Sequence, residues 1–164
     1  MKYEIVDFAT VIVYDSKGRD FLISLSDISL VEKYTWYVSK EGYVERKSWD
    51  GGKNTTHRLH RDIMNKFKMV DHINGDKSDN RRINLRECNH ASNSWNTGLP
   101  SNNKTGYKGV IERKDYKFKT PRYRAYITVN HKRICLGTFY DIDSAGKARI
   151  EAEKKYFNEY RREY

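Results

Sequence analysis

The sequence predicts an α+β chain assembled from small parts rather than around one large core. Three observations carry this. Residues 1–56 place apolar positions in short alternating runs broken by glycine, the pattern of a small β-rich region. Residues 57–97 hold a short amphipathic stretch followed by a polar segment rich in histidine and asparagine. After a breaker-rich stretch at 98–106, residues 107–164 return to alternation and end in a helical period, as for a three-stranded antiparallel sheet packed on one helix.

The elements follow in order. TVIVY (10–14) and FLISL (21–25) read as strands flanking DSKGRD, where Gly18 permits a turn. Residues 27–34 read as one or two helical turns capped by Ser26 or Asp27. TWYVS and GYVERKSW form a hairpin pattern, and Gly51-Gly52 mark a further turn. THRLHRDIMNKF (56–67) reads as a short helix whose Leu59, Ile63 and Phe67 face a core. TGLPSNNKTG (97–106) reads as a linker between domains. GYKGVIER, RYRAYITV and KRICLGTF then alternate as strands, with Asn130-His131 at a turn. A helix capped by Asp141 is expected to run to about Tyr160, burying Ala145, Ala148, Ala152 and Tyr156.

Composition narrows the function classes. The formal net charge is +10, and residues 101–140 carry ten Lys and Arg against two Asp and Glu. A block so concentrated reads as the footprint of an anionic polymer. The two cysteines, Cys88 and Cys135, are far apart and form no CxxC, which argues against a structural zinc site or a disulfide framework. No apolar run approaches the roughly 18 residues of a membrane span, so a cytoplasmic protein without membrane contact is expected.

The chemistry concentrates in VDHINGDKSDNRRINLRECNHASNSWN, residues 70–96. Asp71 offers an anionic oxygen and His72 a base that is neutral near pH 7. Asn84 follows, and Asn93 adds an amide oxygen able to complete a metal site. Oxygen donors without thiolate favour a hard cation, Mg²⁺ or Mn²⁺. Gly75 allows a tight turn, and the amides of Asn84 and Asn80 are suited to tying the loop. Arg81, Arg82 and Arg86 are candidates for gripping phosphates. Asn89 and His90 lie beside Asn93, and His60 precedes the motif; their roles stay open between structure, phosphate contact and, for His90, metal ligation.

This run resembles the HNH endonucleases, especially the compact phage and intron-encoded homing branch, and His60-Arg61 matches the LHR segment before that family's Asp-His pair. The resemblance implies a ββα-metal nuclease finger at 57–97: two short strands joined by a long loop, then a helix. It also implies roles: His72 as general base, Asp71 and Asn93 as ligands of one divalent ion, Asn84 as the residue tying the loop. GYKGV, RYRAYI, ICLGTF and AGKARIEAEKKYF resemble the ethylene-response-factor type of DNA-binding domain. The chain departs from that pattern at Tyr123, where Trp is usual, at Ile111, where an Arg often stands, and in the long turn KDYKFKTP.

Strand alternation sorts the tail into two faces. Ala125, Ile127, Val129, Ile134 and Leu136 belong to the helix side. Arg124, Tyr126 and Thr128 point the other way, joined by Arg133 and by Lys108, Arg113 and Arg122, a composition suited to the major groove of DNA. The expected activity is metal-dependent hydrolysis of double-stranded DNA by a monomer or homodimer. The alternatives are a non-enzymatic DNA-binding regulator with a degenerate finger and an RNA-binding protein.

Overall fold

A computed structural model describes residues 2–96, 98–113 and 120–157; the side chains of Asp50, Ala91 and Ser94 fall outside it. The chain divides into two compact units, Met1–Asn89 and His90–Tyr164.

In the first unit, β1 (Lys2–Ile5), β2 (Thr10–Tyr14) and β3 (Asp20–Ser24) form an antiparallel meander. Strand β1 was not read from the sequence: Lys2-Tyr3-Glu4-Ile5 alternates for only four residues, and all four are exposed. Val11, Val13, Phe21 and Ile23 project from one face into the core. A 3-10 turn, Leu25–Asp27, leads into α1 (Ile28–Val31). The expected Ser26 or Asp27 cap is not formed: no side-chain cap bond is made, and the Asp27 carboxylate instead binds the Arg82 guanidinium at 2.6 Å.

A second sheet follows in the order β4 (Tyr37–Val38), β5 (Val44–Asp50) and β6 (Lys53–Arg58), all antiparallel. The helix expected over 56–67 is therefore shorter. Its first residues belong to β6, and α2 spans only Leu59–Ile63, with Leu59 and Ile63 buried. Pairing of β6 along β5 satisfies backbone groups that a longer helix would have claimed. Next come β7 (Val70–His72), β8 (Asp79–Asn80), a 3-10 turn at Arg82–Asn84, and β9 (Leu85–Glu87). β7 and β9 pair antiparallel, while β8 runs parallel to β3 at the edge of the first sheet.

One core joins these parts. Val11, Phe21, Trp36 and Val44 pack with Leu59, Ile63 and Leu85, so the expected boundary at 56/57 does not divide the packing.

The second unit begins with α3 (His90–Trp95) and continues through β10 (Val110–Arg113), β11 (Arg122–Val129), β12 (Lys132–Phe139) and α4 (Ile142–Phe157). The three strands form one antiparallel sheet in sequence order. Residues 114–119, most of the long first turn, and the expected helix end at Tyr160 lie outside the described residues. The 98–106 stretch is a stitched turn: Asn103 Oδ1 accepts from the backbone N–H of Thr105 and Gly106, and Asn103 Nδ2 donates to Tyr107 O. Asn130 and His131 both take positive φ (49° and 63°), the geometry of a two-residue type I′ hairpin.

Asp141 Oδ1 accepts from Ser144 N at 2.7 Å, which caps α4. The buried face of α4 includes Ala145, Gly146 and Ala152, but also an ion pair, Arg149 with Glu153 at 2.9 Å. Arg149 further donates to Tyr126 O, tying α4 to β11. Gly146 lets the Tyr107 ring lie directly on the helix; a Cβ there would stand 2.5 Å from that ring. Gly146→Ala should therefore destabilise the chain by about 1–3 kcal/mol in thermal or urea unfolding, although alanine is the better helix former by about 1 kcal/mol.

Candidate active site

The first functional side chains sit on a two-stranded ribbon. Antiparallel pairing places Asp71 opposite Arg86 and His72 opposite Leu85. Neighbours on a strand leave opposite faces. Accordingly, Asp71 reaches across to Arg86, with Nη2 to Oδ2 at 3.1 Å, whereas His72 turns inward and is 5% exposed.

A hydrogen-bonded loop follows His72. Gly75, at φ 74°, donates its N–H to His72 O and closes a tight turn. Asn84 is buried; its Oδ1 accepts from Asn74 N at 3.0 Å and its Nδ2 donates to Asp79 O at 2.8 Å, spanning the loop. Asn80 is fully buried on β8, held against β3 through the Ile23 register. Its Nδ2 donates to Lys77 O and Ser78 O, which fixes the amide orientation. Asn80 Oδ1 then faces His72 Nε2 at 3.4 Å. An acceptor there favours the tautomer with hydrogen on Nε2, leaving the basic lone pair on Nδ1.

Burial lowers the His72 pKa below the ordinary 6.5, opposed by the Asn80 contact and by Asp71, so the ring is neutral at physiological pH. His60 is 3% exposed and meets His72 edge to face, with centroids 4.8 Å apart. Tyr43 packs on both, at 5.7 Å from His60 and 6.3 Å from His72. Burial, then the proximity of His72 and of two arginines, brings the His60 pKa down to about 3. The unfolded chain therefore takes up this proton first as pH falls below 6.5, and the stability that neutral His60 supplies is lost from there toward pH 3. The slope is about 1.4 kcal/mol per pH unit. His60→Phe should flatten the stability-versus-pH curve by that amount between pH 6 and 4, measured by urea unfolding.

The three arginines expected to grip phosphate are each engaged within the protein. Arg81 forms a two-pronged pair with buried Asp79 at 2.8 and 2.7 Å, Arg82 holds buried Asp27, and Arg86 holds Asp71. Asn89 is exposed at the end of the first unit, and in the second unit His90 and Asn93 are exposed on α3. Among the described residues, no group of three or more His, Cys, Asp or Glu side chains forms a metal cluster. A carboxylate with an amide and water is a different kind of set, and Asp71 is chemically suited to it.

The outer face of the second unit's sheet is basic. The register sets Ile111 against Arg124, Arg113 against Arg122, Arg124 against Thr138, and Thr128 against Arg133. Two arginines directly opposed repel each other unless an anion lies over them. Arg133 stacks on Tyr126 at 4.5 Å and Arg122 on Tyr140 at 3.6 Å, which sets both guanidiniums. Lys108 stands apart, before β10, and its Nζ donates to Trp95 O.

Sequence reasoning missed Tyr43, which packs beside His72, and the two cations on its ring, Arg58 and Lys77. The Arg58 guanidinium lies 4.1 Å and the Lys77 ammonium 4.5 Å from the Tyr43 ring centroid. No local pattern signalled them, since these contacts join segments far apart in the chain.

Residues 56–95 match the family model described as HNH endonuclease. A protein of Acanthamoeba polyphaga mimivirus named "Uncharacterized HNH endonuclease" is 36% identical over 123 residues, 72% of this chain and 63% of that protein. The chain thus spans less than two thirds of the length of the relative it matches. No solved structure matches.

Proposed function

We propose that the chain is an HNH-type nuclease that hydrolyses phosphodiester bonds of double-stranded DNA with one divalent cation, Mg²⁺ or Mn²⁺, and that it acts as a homing endonuclease. The observation that carries this reading is His72. It lies within the segment similar to HNH endonucleases, is kept neutral by burial, and has its tautomer set by an immobilised Asn80.

In this reading the lone pair of His72 Nδ1 takes a proton from the attacking water. Tyr43, His60 and Asn80 hold the ring still, so the base is oriented before substrate arrives. Asp71 would hold the cation, with Arg86 keeping the carboxylate aligned across the ribbon. Asn93 joins this set on the strength of the sequence pattern. The cation, when bound, supplies positive charge to the phosphate and to the departing 3′ oxygen. Asn84 maintains the loop that carries these groups. One such site cuts one strand, so double cleavage requires a dimer or successive nicks.

The sheet face bearing Arg113, Arg122, Arg124, Tyr126, Thr128 and Arg133 supplies duplex affinity, with arginine suited to guanine edges. Neutralising six to eight phosphates would give a slope of about −5 to −7 for log affinity against log salt. The second reading, a DNA-binding regulator with an inactive finger, draws on the small exposure of His72 and the commitment of Asp71 to Arg86. Supercoiled plasmid separates the two. Nicked or linear product with Mg²⁺, stopped by EDTA and unaffected by competing duplex RNA, supports the nuclease. Tight binding with intact plasmid supports the regulator.

A further inference from the structure

We propose that Arg58 and Lys77, bracketing Tyr43 beside His72, form the clamp that grips the phosphates flanking the one attacked, in place of the finger arginines. The proposal rests on the nuclease reading for its substrate, a phosphodiester backbone, and extends it to the residues that hold that backbone at the site.

The finger arginines are poor candidates on electrostatic grounds. Asp79 and Asp27 are 2% and 3% exposed, and Arg81 and Arg82 neutralise them. Swinging either guanidinium onto a phosphate would leave a buried carboxylate without its counter-charge, a costly exchange. Arg86 is tied to Asp71 in the same way.

Arg58 and Lys77 are differently placed. Lys77 Nζ donates to the backbone carbonyl of Glu41 at 2.9 Å, a neutral partner that leaves its charge uncompensated. Arg58 pairs with the largely hidden Glu45 carboxylate (13% exposed) through Nε at 3.3 Å, but unlike Arg86 its own side chain is 38% exposed, so it can meet a phosphate while keeping that pair. Both cations lie against one aromatic ring, a contact that orients them without cancelling their charge. Two like charges gathered on one ring repel each other, and a polyanionic backbone passing over them relieves that repulsion. The same ring lies 6.3 Å from His72, which keeps each cation within about 11 Å of the base, in range of neighbouring phosphates on the strand. The three residues come from the end of β6, the loop after β7 and the turn before β5, so only the folded unit assembles them.

The test is the affinity of the full chain for a fluorescein-labelled 30-bp duplex, by anisotropy in EDTA between 50 and 200 mM KCl. Wild type is compared with Lys77→Gln, Arg58→Gln and Arg81→Gln. Each clamp substitution should make the log–log salt slope shallower by about 0.9 and weaken binding several-fold at 100 mM KCl, while Arg81→Gln leaves the slope unchanged. Lys77→Gln keeps a donor for Glu41 O, so it carries the test if Arg58→Gln fails to fold. Unchanged slopes in folded Lys77→Gln and Arg58→Gln, or a lowered slope in Arg81→Gln alone, would overturn the clamp. Plasmid left intact with Mg²⁺ despite the expected slopes would count against the nuclease reading and not against the clamp.

Discussion

Asp71→Asn should reduce Mg²⁺-dependent cleavage by at least about a hundredfold while leaving the fold intact, on the argument that a lost anionic ligand costs at least as much as a lost partner of a ligand. The asparagine keeps the size of the side chain and an oxygen that can accept from Arg86, whose side chain is only 13% exposed. Asp71→Ala removes that acceptor as well and should add a loss of stability, because a half-hidden guanidinium then stands opposite a methyl group. A urea titration beside the cleavage assay separates the two effects. Equal activity of wild type and Asp71→Asn across a Mg²⁺ titration would remove Asp71 from the chemistry.

Asn80→Leu should cost about 2–4 kcal/mol of stability and at least tenfold in cleavage rate. The stability loss follows from burial. The amide is fully enclosed, and leucine of similar size leaves the carbonyls of Lys77 and Ser78 without a donor they now have. The rate loss follows from His72, whose Nε2 would lose the acceptor that selects its tautomer. A purely structural role would lower the active fraction, whereas a positioning role lowers kcat per folded molecule with KM unchanged. Active-site titration by tight-binding duplex gives that distinction.

Much of the architecture was legible because it is local. Val11 and Val13 with Phe21 and Ile23 alternate on β2 and β3, and Ala125 with Ile127 alternate on β11; burial repeats that alternation. The Asp141 cap and the Asn130-His131 turn are likewise short-range devices. What escaped depends on partners distant in sequence. Arg82 finds Asp27 across 55 positions and Lys77 finds Glu41 across 36. A run of arginines in a motif therefore suggested phosphate contacts that the fold spends on its own carboxylates. Helix length failed for a related reason: residues 56–58 lead directly into the helical period that starts at Leu59, but β5 offers them a strand partner. Burial of Arg149 and Glu153 on α4 was hidden because a charged i, i+4 pair ordinarily reads as solvent-facing.

In the candidate site, the residue types of the Asp-His pair and the loop asparagines suggested a base, a ligand and a tie. Their environment was not readable. Nothing local says that His72 is 5% exposed or that His60 and Tyr43 enclose it.

The most direct test is single-turnover cleavage of a labelled duplex by wild type and His72→Ala, in Mg²⁺, at enzyme concentrations where both bind the same fraction of DNA. General-base catalysis contributes about 10²–10⁴ in rate, so His72→Ala should cut at least a hundredfold more slowly at equal occupancy. Cleavage by His72→Ala at the wild-type rate, or no cleavage by wild type on DNA it demonstrably holds, would contradict the assignment of His72 as the base.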